Sequence, residues 1–128
     1  MNVPMLLQIR DQILAAPDSF RMDTWSCGTA HCIAGWACVL AGDPVADQTR
    51  YPGDQRTRLG WLPHDRALRV MGLSAGRWDS CDLFHVSAWR PPWSEMYDLA
   101  RLRAERAQIA AWAIEDYILT DGWTKEIA

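Results

Sequence analysis

Apolar positions recur along this chain at helical intervals. Leu6, Ile9 and Ile13 fall on one face, Leu7 and Leu14 widen the stripe, and Pro4 and Pro17 bracket it, which predicts a first helix over 4–16. Asp18 to Ser26 reads as a loop whose Phe20, Met22 and Trp25 tuck beneath the next element, although an apolar residue every two or three positions also suits a short strand. Trp25 to Gly42 then reads W-S-C-G-T-A-H-C-I-A-G-W-A-C-V-L-A-G, with no charge from Thr29 to Ala41. Thr29 is a suitable N-cap, and Cys32, Trp36 and Val39 or Leu40 share a face that Ile33 and Ala37 extend. A helix apolar nearly all round is a buried one, so the pattern predicts a central helix over 29–41, notched at Gly35 for a close neighbour and stopped by Gly42 and Asp43-Pro44.

The pattern weakens over 43–61, where Asp-Pro, Tyr-Pro-Gly-Asp and several Arg predict the least ordered part of the chain. A loop of that length in a small domain is often functional or mobile. Pro63 opens a helix to Met71 with Ala67, Leu68 and Met71 inward, and Gly72 closes it. Ser74 caps a further short helix, after which Trp78, Cys81, Leu83, Phe84 and Trp89 form an aromatic cluster ended by Arg90-Pro91-Pro92. From Ser94 a last helical region follows, with Leu102, Ile109, Ala113 and Tyr117 as its inner stripe, Trp112 beside them, and a bend near 102–105. Thr120-Asp121-Gly122 ends that helix, and Trp123 onward packs back or frays.

At 128 residues the chain fits a single domain over 1–128, and the run of short helices between Pro and Gly breaks predicts an all-α, orthogonally packed bundle of about five helices around the central one. No apolar run is long enough for a membrane span or a signal peptide, so a cytoplasmic protein with reduced thiols and no membrane partner is expected. The net charge of −3 argues against a protein built around nucleic acid. Its distribution is uneven: six Arg and two Asp from Arg50 to Arg77 give a local excess of four positive charges, leaving seven negative on the remainder.

Four groupings carry candidate chemistry. Cys32 near the start of a capped helix is where backbone N–H groups and the helix dipole favour a thiolate. Its base would have to be His64 or His85, because His31 lies about 100° round the helix. A buried, inert thiol is the alternative. Cys27, His31, Cys81 and His85 could form a metal site, Cys81 and His85 being at i and i+4, although the Trp and Leu around them account for burial without one. Arg50, Tyr51, Arg56, Arg58 and Trp61 combine phosphate-binding and base-stacking side chains, against the alternative of a solvated connector. Last, eight Trp with no phosphate loop and no paired inward carboxylates suit a recognition surface. Trp89, Trp93 and Trp123 lie near breaks or the carboxyl end, where an exposed aromatic would serve a partner and core packing is the alternative. No cofactor motif is present, and none is expected.

Cys27 to Ala37 (C-G-T-A-H-C-I-A-G-W-A), Arg69 to Ser74 (R-V-M-G-L-S), Asp82 to His85 (D-L-F-H) before a Trp-Arg-Pro-Pro break, and Ala110 to Gly122 (A-A-W-A-I-E-D-Y-I-L-T-D-G) together resemble a family of small uncharacterised proteins of bacteria and their phages. That family opens on a C-G-T-x-x-C-x-A-G-W helix, and the chain departs from it at His85 and Tyr117, where the family has Tyr and Phe. The resemblance implies element boundaries and a phage-related setting, not an activity. The expectation for function is a binding or regulatory protein acting through protein–protein contacts. A cysteine-dependent enzyme using Cys32 with a distant histidine is the alternative, and nucleic-acid binding through 50–77 the third.

Overall fold

Asn2 starts the first helix with its side chain: Oδ1 accepts the Met5 N–H at 3.2 Å, and Pro4 follows in the first turn, where its missing N–H costs nothing. In the computed structural model, which describes residues 1–23, 30–46, 55–73 and 82–123, this helix, α1, runs Val3–Ala15. Leu6, Ile9 and Ile13 are fully buried, as their spacing predicts. Leu14, expected to widen the stripe, is exposed, because one residue past Ile13 already turns about 100° away from the neighbouring helix.

The central helix starts later than predicted. α2 runs Ile33–Leu40, because the residues before it pair in extended form. The His31 N–H donates to the Ser19 carbonyl at 2.9 Å and the Arg21 N–H to the His31 carbonyl at 3.2 Å, which forms an isolated parallel bridge between Phe20 and His31. Cys32 therefore caps the helix instead of lying within it, and Thr29 lies outside the described residues. Ile33 through Cys38 are all buried, as an uncharged helix requires.

Asp43 to Trp61, expected to be the least ordered part, is paired at both described ends. Val45 and Thr57 form an antiparallel bridge, the Ala46 N–H donates to the Arg56 carbonyl at 2.9 Å and the Arg58 N–H to the Pro44 carbonyl at 3.0 Å. α3, Pro63–Met71, then packs on α2 and buries Ala67, Leu68 and Met71, as predicted. Gly72 ends it at φ +62°, where the Leu73 N–H reaches back to the Leu68 carbonyl at 2.9 Å. The short helix expected from Ser74 lies outside the described residues; 3₁₀ turns at Asp82–Phe84 and Val86–Ala88 deliver Leu83, Phe84 and Trp89 to the core.

α4 (Trp93–Leu99) and α5 (Arg103–Leu119) are separate helices, with Ala100 in extended backbone between them. The break falls a little before the expected bend and turns Leu102, predicted to be inward, out to 61% exposure. Ile109, Ala113 and Tyr117 are buried as the periodicity requires. α5 packs along α1 and α4, with Arg10 on α1 reaching Glu115 on α5 at 3.3 Å. The result is an all-α bundle of five helices among the described residues, and none of those helices is long and apolar enough to cross a membrane.

Candidate functional site

The extended pairing that delays α2 also fixes the chemistry of Cys32. Its Sγ accepts the Gly35 N–H at 3.3 Å, so the thiol does the work of an N-cap side chain. Burial pushes the thiol up to about 11, outweighing the lowering by the amides of its own turn. Cys38, one turn and a half further on, points its Sγ at the Pro63 carbonyl at 3.5 Å and is pushed up to about 12 by burial. Both therefore hold their protons at neutral pH, which removes the thiolate that nucleophilic chemistry needs. His31 is half-buried with its ring edge-on to Trp36 at 4.8 Å, and burial lowers its pKa.

His64 and His85 are brought together from α3 and from the 3₁₀ region. Burial lowers the pKa of His85 first, the charge of His64 lowers it further, and Asp82 opposes both. His64 Nε2 also lies 3.2 Å from Asp65. The metal set read from the sequence is not assembled here: Cys27 and Cys81 lie outside the described residues, and among those described no three His, Cys, Asp or Glu side chains converge.

The segment between α2 and α3 is built around Asp43. Its carboxylate is only 1% exposed, accepts the Leu59 N–H at 2.9 Å through Oδ1 and faces Arg66 Nε at 3.2 Å through Oδ2. The Thr57 Oγ1 accepts the Trp61 N–H at 3.1 Å, and the Thr57 N–H returns to the Trp61 carbonyl at 2.9 Å. Trp61 is thereby held between the ladder and α3, with the guanidiniums of Arg69 and Arg66 over its ring at 5.0 and 5.8 Å. Along 55–58 burial alternates as on a strand, Gln55 and Thr57 in, Arg56 and Arg58 out. Of the residues predicted for this surface, Arg56 and Arg58 are exposed and Trp61 is half-buried against Arg66 and Arg69, while Arg50 and Tyr51 lie outside the described residues.

Around α4 and α5 the core-packing alternative holds for Trp89 and Trp123. Trp89 and Trp123 are buried, because each indole N–H finds an internal acceptor: the Leu83 carbonyl at 2.9 Å and Asp116 Oδ2 at 3.1 Å. Trp93 is half-buried and donates to the same Asp116 oxygen at 3.0 Å, with Arg90 Nε 3.6 Å away. Among the described tryptophans the exposed one is Trp112, at 41%, its ring 6.2 Å from that of Trp93. Leu119, two turns further along the same face of α5, is 84% exposed. The outer face of α5 therefore leaves Trp112 and Leu119 exposed, with the half-buried Trp93 of α4 beside the first of them.

A cleft of about 410 Å³ opens between 20–23 and the α4–α5 junction, with Phe20 and Tyr97 among its walls. Its charges serve neighbours: Arg21 pairs with Asp23 and holds that carboxyl below the usual range, while Arg106 lies 5.7 Å over Tyr97 and donates to the Ala100 carbonyl at 3.2 Å. Asp43, Trp112 and Asp116 were missed as functional or organising residues. Asp43 read as a helix stop, Trp112 as an inner-stripe neighbour, and Asp116 was given no role. The available signal was Trp112 lying one residue off the Ile109–Ala113 stripe, which turns it outward. Comparison with protein-family models, with curated proteins and with solved structures finds no match to this chain.

Proposed function

We propose that this chain is a small cytoplasmic binding protein that works through contacts with another protein, made by the outer face of α5 and the start of α4. The observation that supports this reading is Trp112, a large aromatic left 41% exposed beside the half-buried ring of Trp93. Folding gains from burying such a side chain, and an aromatic anchor in water is what a partner's pocket uses. Leu119 extends the apolar contact along the helix, and Glu105 and Glu115 lie on the same helical face. An apolar stripe flanked by carboxylates suits a partner whose contact surface is apolar with Lys or Arg around it.

The weak side of the alternative supports the same choice, since the two described thiols are buried and protonated. The test is affinity capture from the source cells with three baits: the wild-type chain, a Trp112→Ser/Leu119→Ser variant, and a Leu59→Ser control on the α2–α3 connector. A protein retained in stoichiometric amount by wild type and control and lost by the double variant is the expected outcome. Equal retention by all three baits, or no retained protein at all, overturns the reading. Because both substituted side chains are exposed, the double variant should melt within a few degrees of wild type.

A further inference from the structure

We infer that the cleft between 20–23 and the α4–α5 junction binds a small carboxylate carrying an apolar body the size of an aromatic ring. It shares no residue with the Trp112 and Leu119 face, so this inference and the protein-contact reading stand or fall separately.

The cleft has the size and the mixed lining of a small-ligand site. Its volume of about 410 Å³ lies within the usual span of such pockets. Part of the lining is apolar: Phe20 and Tyr97 meet edge to face at 6.4 Å, and the half-buried Met22 and Val86 line the cleft with them. The cationic part is set directly against that wall. Arg106 donates through Nε to the Ala100 carbonyl at 3.2 Å and lies 5.7 Å over the Tyr97 ring, so two contacts hold its guanidinium plane. Neither contact uses its Nη edge, which makes no hydrogen bond to a described residue. Parallel N–H groups on such an edge match the two oxygens of a carboxylate.

Arg103, one turn before Arg106 on α5, also lines the cleft. Its tie to Asp18, at 3.4 Å to the carbonyl and 3.9 Å to the carboxylate, joins two exposed side chains, and a pair of that kind costs little to break. Arg103 is also the first residue of α5, whose opening turn has no side-chain cap. The positive end of that helix therefore borders the cleft with amides that no helix carbonyl accepts.

The charges along the lining select a monoanion. Arg21, Arg103 and Arg106 stand against Asp23 and Asp98, three against two, an excess of one positive charge. Arg21 is already tied to Asp23, which leaves Arg103 and Arg106 with Asp98. One carboxylate balances that set. A phosphate dianion would leave a negative charge uncompensated beside Asp98, and a neutral ligand would leave the Arg106 edge unused.

The test is an amide-detected NMR titration of the full chain with sodium phenylacetate, sodium acetate and phenylacetamide at constant ionic strength. Phenylacetate should shift the amides of 20–23, 97–98 and 103–106 with a Kd on the order of 1 mM. Acetate, which lacks the apolar body, and phenylacetamide, which lacks the charge, should each bind about tenfold more weakly. Arg106→Gln should weaken phenylacetate about tenfold, and Arg106→Lys, which keeps the charge and loses the fork, by less. Arg103→Gln substitutes an exposed side chain, so it should keep the wild-type melting temperature within a few degrees and weaken binding about threefold. It decides the matter should the Arg106 variants unfold. No shift at about ten times the expected Kd, shifts centred elsewhere on the chain, phenylacetamide bound as tightly as phenylacetate, or folded arginine variants with unaltered affinity overturns the inference.

Discussion

A carboxylate that is 1% exposed, set against a guanidinium whose side chain keeps 23% of its surface in water, makes an asymmetric pair. Asp43 has lost its hydration and depends on its partners, whereas Arg66 can turn outward. Asp43→Ala leaves the Leu59 N–H without its acceptor and should cost about 2–4 kcal/mol in urea unfolding. Asp43→Asn keeps an acceptor of the same shape and should cost roughly half as much. If the two variants are equally unstable, the charge matters and the hydrogen bond does not. The thiols give a second residue-scale expectation. With Cys32 and Cys38 buried and pushed up to about 11 and 12, alkylation mapped by mass spectrometry should leave both unmodified in native buffer and modify both in denaturant. Rapid native modification of Cys32 would show an open, reactive thiol.

Among the elements, the α1–α3 junction is a lock made by one residue. Asn2 caps α1 through Oδ1, donates Nδ2 to the Val70 carbonyl at 3.1 Å, and donates its backbone N–H to the Met71 carbonyl at 2.6 Å. Asn2→Ala keeps only the last of these and should lower stability by about 1–2 kcal/mol, read from thermal or urea melts. Gly72→Ala at the other side of the same junction places a Cβ at φ +62° within 3.6 Å of the Asn2 nitrogen, and the backbone conformation alone should cost about 1 kcal/mol. The helices themselves were legible because their signals are local: Leu6, Ile9 and Ile13 repeat at the helical period, and Pro63 and Gly72 punctuate α3. The start of α2 was not. Thr29 is a sound cap by composition, but the pairing of His31 with Ser19 and Arg21 is a contact between segments, and no local pattern encodes it. The same applies to the site. Arg56, Arg58 and Trp61 could be grouped from their nearness in sequence, whereas the Arg69 stack and the Asp43 anchor depend on how α3 meets the ladder.

For the molecule as a whole, the titratable groups shifted by desolvation bracket a pH range. His31 and His85 have lowered pKa values, chiefly through burial, so the folded state prefers them neutral. Below about 6.5 the unfolded chain binds more protons than the folded one, and stability falls as pH drops. The thiols act at the other end. Above 9.0 the unfolded chain loses thiol protons that the folded chain keeps until about 11, so stability falls as pH rises, by about 1.4 kcal/mol per pH unit for each buried thiol. Denaturation midpoints should therefore form a plateau between pH 6.5 and 9.0, and a Cys32→Ala/Cys38→Ala variant should show a shallower alkaline decline than wild type. The Asp116 carboxylate has a different consequence for anyone handling the chain. One oxygen accepts indole N–H groups from both Trp93 and Trp123, so the opening of α4 and the last described turn are buckled to α5 by a single clasp. Trimming the chain back past residue 123 would undo that buckle and strip the cover from Tyr117, whose ring Trp123 meets edge-on at 5.2 Å. Affinity handles and deletions belong beyond that tryptophan.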